Sequence, residues 1–394
     1  MILHLVFSIL TVCIINFPAQ ANPTLVIDVE TGFVLHADQE DIPWYPASLT
    51  KLMTAYLTFK HLNQDTTFSF NTQLTVSKRA SSQPASKMGV PTGSTVSVAR
   101  ALDALIIYSA NDIAYVLAEG VSGSVERFVE KMNEAAHELG MSATSFTNPN
   151  GLPDSDQITT ARDMAVLGRA LILEFPEYGY IFANPILKWG KRKLHARNSL
   201  LRTFDGADGM KTGFICASGF NVVATAKRDQ LHFLVVVMGA SSGKFRSRIA
   251  ANLLDSAFER GGAPMINYTK LGAISNNSNH FVSPANLRSQ VCAKKGAHPI
   301  IATPEKLYGW GVLFGSYKSR KSASSALGFT LKGLRGVVDH GLAAIVPATS
   351  KKSYHVVLAG ISVDKALDIC DHFDKAALSC TPLSPGEVRE ASGL

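Results

Sequence analysis

Along "YPASLTKLMTAY", Leu49, Leu52, Met53, Tyr56 and Leu57 recur at i, i+3, i+4, i+7 and i+8, the spacing of an amphipathic or buried helix. Upstream, "TLVIDVETGFVLHAD" reads as two short strands around a Glu30-Thr31-Gly32 turn. From about residue 98 to 175 the apolar period is mostly helical, in "VARALDALIIYSANDIAYVLAEG" and in "ERFVEKMNEAAHELG", which should stop at Gly140. "GMKTGFIC", "GFNVVATAKR" and "LHFLVVVMGA" follow as three apolar strands in an antiparallel meander, and "FRSRIAANLLDSAFERGG" as a helix ended by glycines. Two early and three late strands with helices between them predict an α/β (α+β) domain. It is built on one antiparallel sheet flanked by helices, with a helical insertion to one side.

Residues 263–305 are polar and turn-rich and read as a linker. Beyond them a strand–helix–strand pattern occurs twice, first as "GWGVLFGSY", "KSRKSASSALGFTLKGL" and "LAAIVPA". The second copy is "YHVVLAGI", "SVDKALDICDHFDKAAL" and a last strand from about Cys380. Two such units predict a small compact domain over 306–384, and the tail 385–394 is expected to fray. At the other end, the first 17 residues are almost wholly apolar and precede Ala19-Gln20-Ala21, the pattern of a signal peptidase site. Residues 1–21 are therefore expected to be a removed signal peptide and 22–262 the first mature domain. The n-region lacks Lys and Arg, which keeps an uncleaved anchor open. No later stretch is long and apolar enough to span a bilayer, so a periplasmic or secreted protein without a stable membrane anchor is expected.

A length of 394 residues suits two or three domains, and a 46% apolar fraction suits a packed core. The net charge of +7 fits an acidic polymer partner as well as plain solubility, and "KWGKRK" and "KSRK" read as solvated faces. Cys216, Cys292, Cys370 and Cys380 remain after signal removal, in a compartment that permits disulfides. The eleven histidines show no H-E-x-x-H or clustered Cys/His spacing, so no metal and no cofactor are expected and a zinc peptidase is set aside. Nucleic acid is not an expected partner.

Three short stretches carry candidate chemistry. Ser48 and Lys51 lie one helical turn apart. Ser48 reads as a plain N-cap and Lys51 as a surface lysine, or, if the amine is buried, burial favours its neutral form and lets it take the Ser48 proton. Ser109-Ala110-Asn111 interrupts two apolar runs; Ser109 and Asp112 fit a capping box, or the hydroxyl and amide face a site. Lys211-Thr212-Gly213 reads as an edge-strand gatekeeper and a bulge, or as a place where an extended peptide ending in carboxylate pairs with the strand, Gly213 leaving room for it.

Together, S-x-x-K, S-x-N and K-T-G in this order resemble the signature of penicillin-binding proteins and serine β-lactamases. Over residues 24 to about 260 the text resembles the low-molecular-mass D-alanyl-D-alanine carboxypeptidases, in "YPASLTKLMTAY", "SFTNPNGL", "RNSLL" and "DGMKTGF" among others. The resemblance implies Ser48 as acylated nucleophile, Lys51 as its base, Ser109 as proton relay and Asn111 as a partner of the peptide amide. Lys211, Thr212 and Arg246 would hold the terminal carboxylate and the charge network, with Arg197 as a further site arginine. The backbone N–H groups of Ser48 and Phe214 would form the oxyanion hole. The implied function is removal of the terminal D-alanine from peptidoglycan pentapeptide stems, with β-lactams as covalent inhibitors. A D,D-endopeptidase and a non-catalytic, penicillin-sensing wall binder are the alternatives. "NPNGLPDSDQITTARDMAVL" lacks the glutamate that a class A β-lactamase would need. Phe214-Ile215-Cys216 departs from the family, which commonly has a polar residue or histidine after K-T-G; Cys216 is expected to be a small, reduced residue.

The final repeat resembles a SPOR domain, whose relatives bind septal peptidoglycan glycan. That likeness implies a Cys370–Cys380 pair and enrichment at the division septum. A generic strand–helix module without a ligand is the plainer reading of the same text.

Overall fold

The computed structural model describes residues 22–263, 269–274, 283–292, 299–334, 337–338, 340–348, 353–374 and 379–392; the expected signal peptide lies outside them. Strands β1 (Thr24–Asp28) and β2 (Val34–Asp38) form the early hairpin, and helix α1 (Lys51–Gln64) follows. The helical insertion contains α2 (Asn111–Ser122), α3 (Val125–Glu138) and α4 (Ala161–Glu174). Ser124 and Thr160 cap α3 and α4 by accepting from the N–H groups of Arg127 and Asp163, as N-cap residues do. Gly140, just past α3, has φ +74°, so the expected helix stop is a left-handed glycine.

A small hairpin of β3 (Ile186–Trp189) and β4 (Arg192–His195) then leads to the meander: β5 (Ala207–Ile215), β6 (Gly219–Arg228) and β7 (Leu231–Ala240). Helix α5 (Gly243–Glu259), capped by Ser242, completes this unit. The early and late strands join in one antiparallel sheet of order β2-β1-β7-β6-β5. The two faces of β7 explain its unbroken apolar run. Leu234, Val236 and Met238 enter the core under the helical insertion, whereas Phe233, Val235 and Val237 pack under α5. Each such side chain is worth about 1.5–3 kcal/mol of burial. Strand β5 is left at the sheet edge, and the turn before α1 packs beside it.

The C-terminal unit has its own five-stranded sheet and two apolar layers. Strands β8 (Ile300–Ile301), β9 (Trp310–Tyr317), β10 (Leu342–Pro347), β11 (Tyr354–Ile361) and β12 (Thr381–Leu383) take the order β8-β10-β11-β9-β12. Helices α6 (Arg320–Gly333) and α7 (Val363–Asp374) supply Ala323, Leu327, Ile369 and Phe373 to one face. The anticipated pairing of Cys370 with Cys380 is present.

Several expectations are corrected. Residues 385–392 do not fray: α8 (Pro385–Ser392) packs Val388, fully buried, with Leu307 and Val357 on the other face of the sheet. Because Ile300–Ile301 pairs with β10, the C-terminal sheet begins inside the stretch read as linker. Part of that stretch also belongs to the first unit, since Leu271 and Leu287 are buried in its core. Cys216 is not a reduced thiol; it is bonded to Cys292, 76 residues away. Sequence spacing carries no information about such a contact, which exists only because residues 283–292 fold back onto the β5–β6 turn. There the Leu287 N–H donates to the Ala217 carbonyl at 2.9 Å.

Candidate active site

Ser48 stands on a single 3-10 turn, Ala47–Thr50, and the α-helix proper begins at Lys51. Ala47, immediately before it, has φ +49°, a left-handed conformation that costs an L-residue on the order of 1–3 kcal/mol and gathers at functional sites. Two glycines make this turn possible. A Cβ on Gly151 would lie 1.9 Å from the Ala47 carbonyl oxygen, and one on Gly213 would lie 2.8 Å from that of Pro46 and 3.2 Å from the Ser48 nitrogen. Gly213 therefore makes room for the Ser48 turn rather than, as expected, for a ligand. It also sets the backbone of residue 213 beside the Ser48 turn.

Lys51 is fully buried. Its Nζ lies 3.0 Å from Ser48 Oγ and 2.7 Å from Asn111 Oδ1, and it donates to the Asn150 carbonyl. The Asn111 amide is oriented by its Nδ2, which donates to the Pro84 carbonyl at 3.0 Å, so Oδ1 faces the lysine. Asn111 Oδ1 and the Asn150 carbonyl can only accept, whereas the Ser48 hydroxyl can also donate. A neutral amine satisfies all three, giving its two N–H groups to the acceptors and its lone pair to the Ser48 proton. Burial, then the nearby Lys211 charge, holds the Lys51 pKa well below its ordinary value; Asp112 opposes them.

Ser109 closes a π-helical turn, Ala104–Tyr108, with φ +65°. It is not the N-cap of α2, a position held by Ala110, and both it and Asn111 are buried. Its Oγ accepts from Lys211 Nζ at 2.9 Å. Lys211, expected as a possible surface gatekeeper, is almost fully buried, and it donates again to the Thr212 carbonyl at 2.8 Å. Burial, with Arg246 and Arg197 adding repulsion, brings its pKa down from 10.5 to about 7. Arg246 is buried too, its pKa lowered to about 10 by desolvation, and its Nε has no hydrogen-bond partner among the described residues. Arg197, at the mouth, lies with Nη2 3.5 Å from Ser86 Oγ and its guanidinium 4.9 Å from the Tyr108 ring centre. Three cations thus converge where no carboxylate of this chain pairs with Lys211, Arg197 or Arg246 among the described residues. Such a cluster is a receptor for an anion. Thr212 is buried beside it, and Phe214, 42% exposed, stacks on Phe220 at 4.2 Å between centroids at the rim.

Residue patterns did not single out Asn150, and gave Asp112 only as a capping-box partner of Ser109. Asn150 supplies the carbonyl for Lys51 and ties its own Nδ2 to Gln83 at 3.0 Å. Asp112, fully buried, accepts from the N–H groups of Met88 and Gly89 at 3.0 and 2.8 Å, and so clamps that loop beside Asn111. The "SFTNPNGL" text carried a family likeness; that its Asn150 carbonyl would meet a lysine 99 residues away was not visible in it.

Residues 16–242 match the peptidase family S11 model, described as D-alanyl-D-alanine carboxypeptidase. The chain belongs to this family. The chain is 36% identical over 244 residues to the D-alanyl-D-alanine carboxypeptidase DacA of Haemophilus influenzae, a match of 60% of this chain and 62% of the relative. It is 37% identical over 245 residues to DacC of Escherichia coli, covering 60% and 61%. It thus spans less than two thirds of the length of these curated relatives. Among solved structures, penicillin binding protein 5 from Haemophilus influenzae is similar with a TM-score of 0.58 at 36% identity, covering 60% of this chain and 70% of that one. Penicillin-binding protein D2 from Listeria monocytogenes, in its ampicillin-bound form, is similar with a TM-score of 0.53 at 30% identity, over 60% of this chain and 97% of that one. The family match stops before Arg246 and the C-terminal unit.

Proposed function

We propose that the protein is a serine-type D-alanyl-D-alanine carboxypeptidase that removes the terminal D-alanine from peptidoglycan stem peptides and is acylated by β-lactams. The observation that carries this reading is the buried Lys51 amine 3.0 Å from Ser48 Oγ, with its two other partners able only to accept. Neutral Lys51 takes the Ser48 proton as Oγ attacks the carbonyl carbon of the penultimate D-alanine. The oxyanion is met by the backbone N–H groups of Ser48 and Phe214. Its collapse breaks the C–N bond, the departing amine takes a proton through Ser109, and water then hydrolyses the acyl-serine. Asn111 holds the peptide amide, while Lys211, Thr212, Arg197 and Arg246 receive the terminal carboxylate. The unpaired edge of β5 offers main-chain groups to an extended peptide. A β-lactam follows the first step and remains on Ser48.

The test is intact mass after brief exposure to a penicillin, together with D-alanine release from a D-Ala-D-Ala peptide. Ser48→Ala should lose both, the rate by orders of magnitude; an adduct on the Ser48→Ala protein would contradict the assignment. We further propose that the enzyme is exported, and that the C-terminal unit is a SPOR-like domain which binds glycan at the division septum. The apolar leader ending in Ala19-Gln20-Ala21 and the repeated strand–helix text support these readings. Splitting of cross-linked dimers into monomers without release of free D-alanine would favour the endopeptidase alternative.

A further inference from the structure

The β3–β4 hairpin carries the "KWGKRK" run, and nothing in the acylation chemistry uses it. Its register sets Lys188 directly opposite Lys193 and Trp189 opposite Arg192. Like charges facing each other across an antiparallel pair are destabilising. Lys188, Lys191, Arg192 and Lys193 are all exposed, and none of them forms an ion pair among the described residues. Arg100 adds another cation, its guanidinium 4.5 Å from the Trp189 ring centre. Beside the hairpin is a cavity of about 440 Å³ lined by Ile186, Lys188, Lys193 and Asn184 among others. The one carboxyl in that lining, Asp103, is half-buried, and burial raises its pKa against the opposing pull of Arg100.

The hairpin also points at the cleft. On β4, Lys193 and His195 share a face by the two-residue period of a strand, and both are exposed. Two residues on is Arg197, at the mouth of the site beside Ser86 and Tyr108. Lys193 and Arg197 thus place exposed cations, with the His195 ring between them, on the way from the hairpin to the proposed place of the terminal carboxylate.

We infer that this hairpin is a second, non-catalytic subsite for the substrate, one that takes carboxylates upstream of the terminal D-Ala-D-Ala. An acidic peptide lies along Lys193, His195 and Arg197, with Lys188 beside it, while its end enters the cleft. The attraction is between solvent-exposed charges, so it speeds encounter and lowers KM more than it changes chemistry, and salt weakens it. An anionic bilayer fits less well. Within the hairpin Leu187 is buried, Leu194 and Trp189 are half-buried, and Arg100 stacks on Trp189, so the hairpin itself presents no fully exposed apolar side chain to insert.

The inference rests on the carboxypeptidase reading, and two substrates separate the fate of each. One is an N-acetylated dipeptide whose only carboxylate is terminal; the other is an acidic peptide with the same D-Ala-D-Ala end and two further free carboxylates. The full-length protein should prefer the acidic peptide, and the preference should fall with added salt. Lys188→Gln combined with Lys193→Gln should lower kcat/KM for the acidic peptide roughly fivefold, mainly through KM, and change the dipeptide less than about twofold. Lys188→Arg with Lys193→Arg should restore it. Equal losses on both substrates, or no loss on either, would overturn the subsite. So would a variant that keeps its peptide kinetics and loses binding to phosphatidylglycerol vesicles. If the wild type cleaves neither substrate, the carboxypeptidase reading fails; salt-sensitive binding of the acidic peptide, measured by fluorescence anisotropy in wild type and variant, still decides the subsite.

Discussion

Lys51 and Lys211 share one small volume, and the same burial gives them opposite tasks. On the proposed mechanism Lys51 must be neutral to take a proton from Ser48, whereas Lys211 must be charged to hold a carboxylate. The Lys211 charge adds to the burial that lowers the Lys51 pKa, and Arg246 and Arg197 add to the burial that lowers that of Lys211. Because kcat/KM reports the free enzyme, it should rise as Lys51 loses its proton and fall again above about pH 7, where Lys211 loses its charge. Measured against a peptide with an amidated C-terminus, which has no carboxylate for Lys211, the descending limb should be absent. Identical profiles for the free and amidated peptides would reject the role of Lys211. The stability sign follows from the same shift. The unfolded chain binds more protons than the folded one between about pH 7 and 10.5, so stability rises with pH across that window, by at most about 1.4 kcal/mol per unit.

At the scale of elements, the Cys216–Cys292 bridge joins the end of the strand that carries Lys211, Thr212 and Phe214 to a distant segment. On the loop-entropy model, closing 76 residues is worth about 4–5 kcal/mol, and the 10-residue Cys370–Cys380 loop about 3. Replacing Cys216 and Cys292 by serine should therefore cost the first unit more free energy of unfolding than the corresponding change at Cys370 and Cys380 costs the second, while the smaller second unit, with its lower unfolding entropy, shows the larger fall in melting temperature. Calorimetry of the two double variants checks the order, and thiol titration of the unfolded wild type should find none of the four free. The bridge also explains why the segment 283–292 was misread. Its polar, turn-rich composition is that of a linker, and only Leu287 and Cys292, seated against the β5–β6 turn, show that it belongs to the first unit.

At the scale of the whole molecule, the two units meet through charged groups. Asp371 on α7 lies 2.9 Å from Lys244 and 3.4 Å from Arg248 on α5, and Asp368 lies 4.0 Å from Arg248. Partly exposed pairs of this kind contribute about 0–1 kcal/mol each and are screened by salt, so they orient the units without making one depend on the other. Each unit has its own apolar core. Deleting residues 299–394 should then leave hydrolysis of a short soluble peptide within about twofold of wild type, while reducing sedimentation with purified cell wall and septal enrichment. A truncated enzyme that still sediments and localises normally would refute the targeting role.

What the sequence by itself determined was whatever depends on local period and spacing. The strand and helix order of both units follows from where apolar residues recur, and the three triplets bring their own chemistry because Ser48 and Lys51 are one turn apart. The Cys370–Cys380 pair, ten residues apart and implied by a likeness to known domains, was equally legible. Tertiary structure alone decided what depends on contacts between distant residues. It buried Lys51 and Lys211 and so set their protonation, brought the Asn150 carbonyl to Lys51, and made Gly213 a seat for the Ser48 turn. It also oxidised the expected free thiol of Cys216 by delivering Cys292, and packed the expected frayed tail through Val388. Burial and long-range pairing are properties of the closed fold. Until the chain has closed, a lysine on a strand and a lysine in a core are the same letters.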